Sequence, residues 1–254
     1  MCLILLAYKY HPRYRLIIAS NRDEFYNRPT APAKFWEDYE DVLAGRDLEQ
    51  MGTWLGITKR GRFAALTNYR DPSLRSNTAQ SRGILVRNYL CSHEFPVHYL
   101  EGVKKTRHLY NPFNLFVGDL NQLLYYSSVN NCIKDVPPGI HGLSNSFLDT
   151  PWPKVVKGKK VLADCLEEND VLPNDLFNIL ADAKVVEDQE LPDTGVGMEW
   201  ERILSPIFIT SPDYGTRSST VIMIDYDNHV LFMEKSMRDD RKGWRQVYFE
   251  FDIS

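Results

Sequence analysis

Cys2-Leu-Ile-Leu-Leu-Ala-Tyr8 and Tyr14-Arg-Leu-Ile-Ile-Ala-Ser20 are two β-rich runs separated by the turn-forming His11-Pro12-Arg13. Short apolar runs bounded by a turn signal read as a hairpin of buried strands. With the turn centred near Pro12, antiparallel pairing makes the numbers of facing residues sum to about 24. That sets Cys2 beside Ser20, Asn21, Arg22 and Asp23, so an apolar strand begins against a polar, charged cluster. A register slip of one residue moves every side chain to the other face. Either Arg22 or Asp23 therefore points at the thiol.

Further hairpins follow. Gly52–Ile57 and Arg62–Asn68 flank Lys59-Arg60-Gly61, Leu115–Asp119 and Leu123–Ser128 flank Asn121-Gln122, and Ser219–Asp225 and His229–Glu234 flank Asp227-Asn228. Val247–Phe251 is a last β-rich run. Helical patterns lie between them at Ser81–Cys91, Val97–Tyr110, Pro153–Leu166 and Asn174–Ala183. In the third, Val155, Val156, Lys159, Leu162 and Leu166 keep a helical period behind Pro153, whose missing N–H costs least in a first turn. Hairpins in both halves with helices grouped between them predict a layered α+β fold, and no linker divides the chain, so one domain over 1–254 is expected.

Composition narrows the function. The chain has 254 residues, 43% of them apolar and 25% charged, with a net charge of −4. Its basic residues are scattered among acids, which excludes a nucleic-acid footprint. No stretch approaches the roughly 20 apolar residues of a membrane span, and the Leu3–Ala7 run is too short and lacks the basic lead of a signal segment. Cys2, Cys91, Cys132 and Cys165 form no CxxC pair and are expected as reduced thiols of a soluble cytoplasmic protein. There is no phosphate-loop glycine pattern and no spacing of metal ligands, so no metal is expected.

The placement of Cys2 is the chemical signal. Removal of Met1, which a side chain as small as cysteine permits, would leave one residue carrying both a thiol and a free α-amine. The amine then serves as base and the thiolate as nucleophile toward an acyl carbon. A carboxylate beside it would hold the amine, and an arginine would favour the thiolate. Other polar segments also end strands: Thr67-Asn68-Tyr69-Arg70, Gly142-Leu-Ser-Asn145-Ser and Gly215-Thr-Arg217-Ser. Their amides would suit an oxyanion hole, and Arg70 and Arg217 would suit an anionic group.

Ser20-Asn-Arg-Asp-Glu-Phe25, Gly52-Thr-Trp-Leu-Gly56, Thr67-Asn-Tyr-Arg70, Gly142-Leu-Ser-Asn-Ser146 with Thr150-Pro-Trp-Pro-Lys154, and Arg217-Ser-Ser-Thr220 together resemble the NRDE family, also called the transport and Golgi organisation two family. That family is in turn similar to the cysteine N-terminal nucleophile hydrolases, among them penicillin V acylase and bile-salt hydrolase. The resemblance implies a four-layer αββα sandwich of antiparallel sheets. It implies Cys2 as nucleophile, Asp23 as the acid that orients the amine, and Asn145 and Asn68 as oxyanion donors. Arg217 matches a late active-site arginine, with Arg22, Asn21 and Arg70 as further substrate-binding candidates. Those enzymes carry an arginine three residues before the acid, where this chain has Ser20 and instead places Arg22 directly before it. Two functions are compatible with the resemblance. One is hydrolysis or transfer of an acyl group from a small-molecule amide or thioester, which needs no cofactor. The other is non-catalytic carriage of haem or an acyl-CoA in the same cleft, with Cys2 or His141 as an axial ligand to haem.

Overall fold

The computed structural model describes residues 2–167, 170–238 and 240–254. Met1, whose removal the nucleophile reading requires, lies outside the described residues. In chain order the strands are β1 (Cys2–Tyr8), β2 (Tyr14–Phe25), β3 (Thr30–Phe35), β4 (Val42–Asp47), β5 (Leu55–Thr58), β6 (Phe63–Asn68), β7 (Phe113–Gly118), β8 (Leu123–Ser127), β9 (Cys132–Asp135), β10 (Gly139–Leu143), β11 (Tyr214–Asp225), β12 (His229–Met237) and β13 (Trp244–Asp252). The helices are α1 (Gly83–Cys91), α2 (Pro96–Thr106), α3 (Pro153–Leu166), α4 (Pro173–Leu180) and α5 (Met198–Ile203). Proline opens α2, α3 and α4, where its missing N–H leaves no hydrogen bond unmade.

The chain divides into two compact units. The first comprises Met1–Asn27, Pro138–Ser144 and Leu148–Phe251. Its described strands form one sheet in the order β10-β1-β2-β11-β12-β13. Leu3, Leu5, Ala7, Ile17, Ala19, Val221 and Met223 point to one face and pack with Val155 and Leu162 of α3 and Leu176, Phe177 and Leu180 of α4. Ile4, Leu6, Ile18 and Ile222 point the other way and are equally buried. Burial on both faces explains why β1 reads as an unbroken apolar run. Gly142 and Gly158 let α3 lie close on this sheet: a Cβ at Gly142 would meet Val155 Cγ1 at 2.8 Å, and one at Gly158 would meet Leu5 at 2.8 Å. At the open edge, β13 is largely exposed along its length.

The second unit comprises Arg28–Pro137, Asn145–Phe147 and Asp252–Ser254. Its strands run in sequence order from β3 to β9. Val42, Ala44, Ala64, Leu66, Leu115 and Val117 pack with Leu85, Val86 and Tyr89 of α1 and Leu100 and Val103 of α2. Each unit is thus an antiparallel sheet with a pair of helices on one face, the α+β class expected. Among the described residues no helix is long and apolar enough to cross a membrane.

The return of the chain from β10 to α3 is clamped by one carboxylate. Asp149 accepts from Lys159 Nζ at 2.6 Å and the Gly142 amide at 3.0 Å, and its Oδ2 lies 2.7 Å from His141 Nδ1. Burial opposes its ionisation, but the bonds from His141, Lys159 and Gly142 outweigh burial and hold its pKa at about 2. Asp149 also sits in the left-handed region, with φ 59°. Asparagine adopts that conformation as readily, so Asp149→Asn isolates the charge. The folded-state pKa lies below the unfolded one, so this contribution is complete above the ordinary carboxylate range and lost as pH falls through about 2. Discounted for partial exposure, it amounts to about 1–2 kcal/mol. Urea unfolding should show Asp149→Asn less stable than wild type by that amount at neutral pH, with the gap closing toward pH ~2.

Candidate active site

The hairpin register is Cys2 opposite Arg22, Leu3 opposite Asn21 and Ile4 opposite Ser20, every pair summing to 24. Facing residues share a side of the sheet, so Cys2, Arg22 and Ser20 lie on one face, and Asn21 and Asp23 lie on the face covered by α3 and α4. This settles the neighbour of the thiol as Arg22. The Cys2 side chain is buried, and burial pushes its pKa up, opposed by the Arg22 charge and the Asp23 backbone N–H.

On the opposite face Asp23 is 1% exposed. Its Oδ1 accepts from Thr216 Oγ1 at 2.7 Å, and its carbonyl accepts from Tyr214 Oη at 3.0 Å. Burial pushes the Asp23 carboxyl up, with Lys154, the Thr216 hydroxyl and Arg22 pulling the other way. Thr216 is held in turn, since its hydroxyl accepts from the Ile209 amide at 2.9 Å. Asn21 is a tie between elements: Nδ2 donates to the carbonyls of Leu180 and Ile207 at 2.8 and 2.9 Å, and Oδ1 accepts from Ser219 at 2.6 Å.

Strand β11 supplies the next column. It pairs Thr216 with Asp23 and Ser218 with Arg22, so Arg217 is the extra residue of a β-bulge. Bulges bend a strand and re-aim its side chains, and they occur beside active sites more often than chance. Arg217 Nη1 donates to the carbonyls of Phe25 and Tyr26 at 3.0 and 3.1 Å. Gly215 is required by close approach, because a Cβ there would overlap Tyr26 Oη and meet Ile209 O at 2.6 Å.

In the second unit, β6 ends at Asn68, whose carbonyl accepts from Asn145 Nδ2 at 2.8 Å. The Arg70 amide donates to Asn145 O at 2.7 Å, and Asn114 Nδ2 donates to Ser146 O at 2.8 Å. Asn68, Arg70 and Asn145 are therefore gathered at one place, and Asn145 and Arg70 are buried. In the first unit, Ser144 Oγ donates to Cys2 O at 3.3 Å, and Asn145 is the next residue of the chain.

Two residues of this neighbourhood escaped the sequence reading. Thr216 has no signal beyond its place before Arg217. Lys154 does have one: it stands in the first turn of α3, where the helix dipole disfavours a cation, which calls for a compensating partner. It is 4% exposed, its Nζ donates to Pro206 O at 3.3 Å, and its charge acts on Asp23.

Of the two axial-ligand candidates for haem, the Cys2 thiol is shifted toward its protonated form by burial, and His141 has Nδ1 bonded to Asp149, an arrangement that orients the ring. A cavity of about 490 Å³ between α3 and α4 is lined by Asp164, Asp170, Asp175 and Asp182 together with Lys157 and Cys165. Among the described residues no group of three His, Cys, Asp or Glu side chains is placed to hold a metal ion.

Comparison with solved structures places the fold. An N-acylethanolamine-hydrolyzing acid amidase ortholog of Caenorhabditis elegans aligns with a TM-score of 0.53 at 11% identity, covering 87% of this chain and 92% of the other. A mutant conjugated bile acid hydrolase of Clostridium perfringens aligns with a TM-score of 0.54 at 8% identity, covering 100% and 97%. The N-terminal nucleophile hydrolase fold is thus shared. At the sequence level, the Transport and Golgi organization protein 2 homolog of Bos taurus is 41% identical, with 100% of this chain and 99% of the relative covered. The Drosophila melanogaster Transport and Golgi organization protein 2 is 30% identical over the same shares. The family model described as Transport and Golgi organisation 2 matches residues 1–239, and the chain belongs to that family.

Proposed function

We propose that this protein is a cysteine N-terminal nucleophile hydrolase that cleaves or transfers an acyl group from an amide or thioester. The observation that supports it most directly is the register that sets Cys2 against Arg22 at the start of β1, with the Asp23 backbone N–H toward the thiol. With Met1 removed, the α-amine of Cys2 takes the thiol proton and Sγ attacks the acyl carbon. The electron pair then returns from the tetrahedral oxyanion and expels the amine or thiol, which takes that proton. Water attacks the resulting thioester with the amine again as base, and the carboxylic acid leaves as the thiol is restored. In this reading Asp23 holds the amine, the Asn145 and Asn68 amides receive the oxyanion, and Arg22 or Arg217 binds an acidic group of the substrate.

Protein made without a tag at its start should have an intact mass lower by one methionine and should form an acyl adduct on Cys2. Cys2→Ala should lose turnover completely. Absence of turnover in wild type, with a shift of the haem absorption band on titration that Cys2→Ala or His141→Ala abolishes, would favour the carrier reading instead. Because burial raises the thiol pKa, alkylation of Cys2 by iodoacetamide should climb with pH beyond the range of an ordinary thiol, about 8.5. Arg22→Met removes an opposing charge and should move that profile further up. Asp23 is raised relative to its unfolded value, so its contribution is greatest at low pH and is lost as pH rises through the folded-state pKa. Asp23→Asn should therefore melt at the same or higher temperature than wild type at pH 7 while abolishing hydrolysis, a separation of stability from activity.

A further inference from the structure

The sheet of the first unit carries a polar row of which the mechanism above uses Cys2 and Arg22 and leaves the serines unassigned. Cys2 faces Arg22, Arg22 faces Ser218, and Ser218 faces Ser236, so these four stand side by side on neighbouring strands. Ser219 bonds Asn21 on the helix-covered face, which fixes Ser218 on the face of Cys2 and Arg22. Ser218 is 3% exposed, and its Oγ makes no hydrogen bond among the described residues. A buried hydroxyl without a partner is costly, and such groups in folded proteins mark places where something else binds. Beside it is the buried guanidinium of Arg22, which pairs with Glu24 at 3.9 Å.

We infer that Arg22 and Ser218 form a subsite for a substrate carboxylate on the row of Cys2. The inference rests on Cys2 being the nucleophile. Strands lie about 4.8 Å apart, so Arg22 stands one spacing and Ser218 two spacings from the thiol. The favoured substrate therefore carries its carboxylate about 5–10 Å from the acyl carbon under attack. One fixed cation matches a monoanion, and the planar fork of Arg22 with one hydroxyl suits a carboxylate's two oxygens. A phosphate dianion fits less well, because the next row holds buried Glu234, which accepts from Thr220 Oγ1 at 3.3 Å.

The test compares two alkylating probes of equal length, N-iodoacetylglycine and its neutral primary amide, with labelling of Cys2 read by peptide mass spectrometry and each rate divided by that for glutathione. Wild type should prefer the acid by about tenfold or more, since a hydrogen bond to a charged group is worth that much. Ser218→Ala should remove most of the preference, Ser218→Thr should restore it, and Arg22→Met should abolish it. Excess butyrate should erase the wild-type preference, whereas inorganic phosphate at the same concentration should not; this arm needs no variant to fold. Equal labelling by both probes in wild type, an unchanged ratio in a folded Ser218→Ala, or erasure by phosphate as strong as by butyrate overturns the subsite while leaving Cys2 as nucleophile. Labelling of Cys2 by neither probe overturns both.

Discussion

All the chemistry proposed for this protein follows from the pairing of β1 with β2. An antiparallel ladder fixes which residues face one another, and the pleat then assigns each side chain to one of two surfaces. Here the assignment divides the Asn21-Arg22-Asp23 run. Arg22 joins the thiol, whereas Asn21 and Asp23 turn toward α3 and α4. A slip of one residue would bury Arg22 among Val155, Leu162 and Leu176 and leave the thiol without its cation. Because β1 is apolar on both faces, the polar ties of β2 hold the register: Asn21 is bonded to Leu180, Ile207 and Ser219 on the helix-covered face, which leaves Arg22 for the face of Cys2.

Holding such groups out of water is expensive, and the local structure shows how the cost is distributed. Asp23 is surrounded by a hydroxyl that is itself anchored, by Tyr214 and by the charge of Lys154. Even so, burial dominates both the Asp23 carboxyl and the Cys2 thiol, and both are displaced toward their neutral forms. Under the proposed function this displacement sacrifices stability for reactivity, in keeping with the clustering of perturbed titrations at functional sites. The bulge at Arg217 belongs to the same pattern: a regular strand would have put either Thr216 or Ser218 out of register with β2.

Much of this was legible in the sequence, for identifiable reasons. The first hairpin could be read because Pro12 and its neighbours fix the turn, and the register then follows by arithmetic. Pro153–Leu166 matched α3 because proline and the apolar period agree. The strands that escaped have weak local signals. β3 contains Pro32 at an edge with a register shift, β9 is a short edge strand, and β10 carries two glycines that serve the approach of α3. α5 is a helix of only six residues. Within the site, motif resemblance drew attention to Cys2, Asp23 and Asn145, but it could not show that Asn21 ties the sheet to Leu180 and Ile207, or that Thr216 supports Asp23. Those are facts of tertiary contact between segments 159 to 193 residues apart.

The outer strand β13 has a bearing on behaviour in concentrated solution. A strand with an open flank offers amide and carbonyl groups to any extended chain, and a second molecule is the commonest taker. Along β13 the exposed Tyr248, Glu250 and Asp252 alternate with the half-buried Val247, Phe249 and Phe251, and Arg245 is exposed as well. An approaching copy would have to bring its own charges against these, so lengthening of the sheet from molecule to molecule is disfavoured at the step where aggregation would begin.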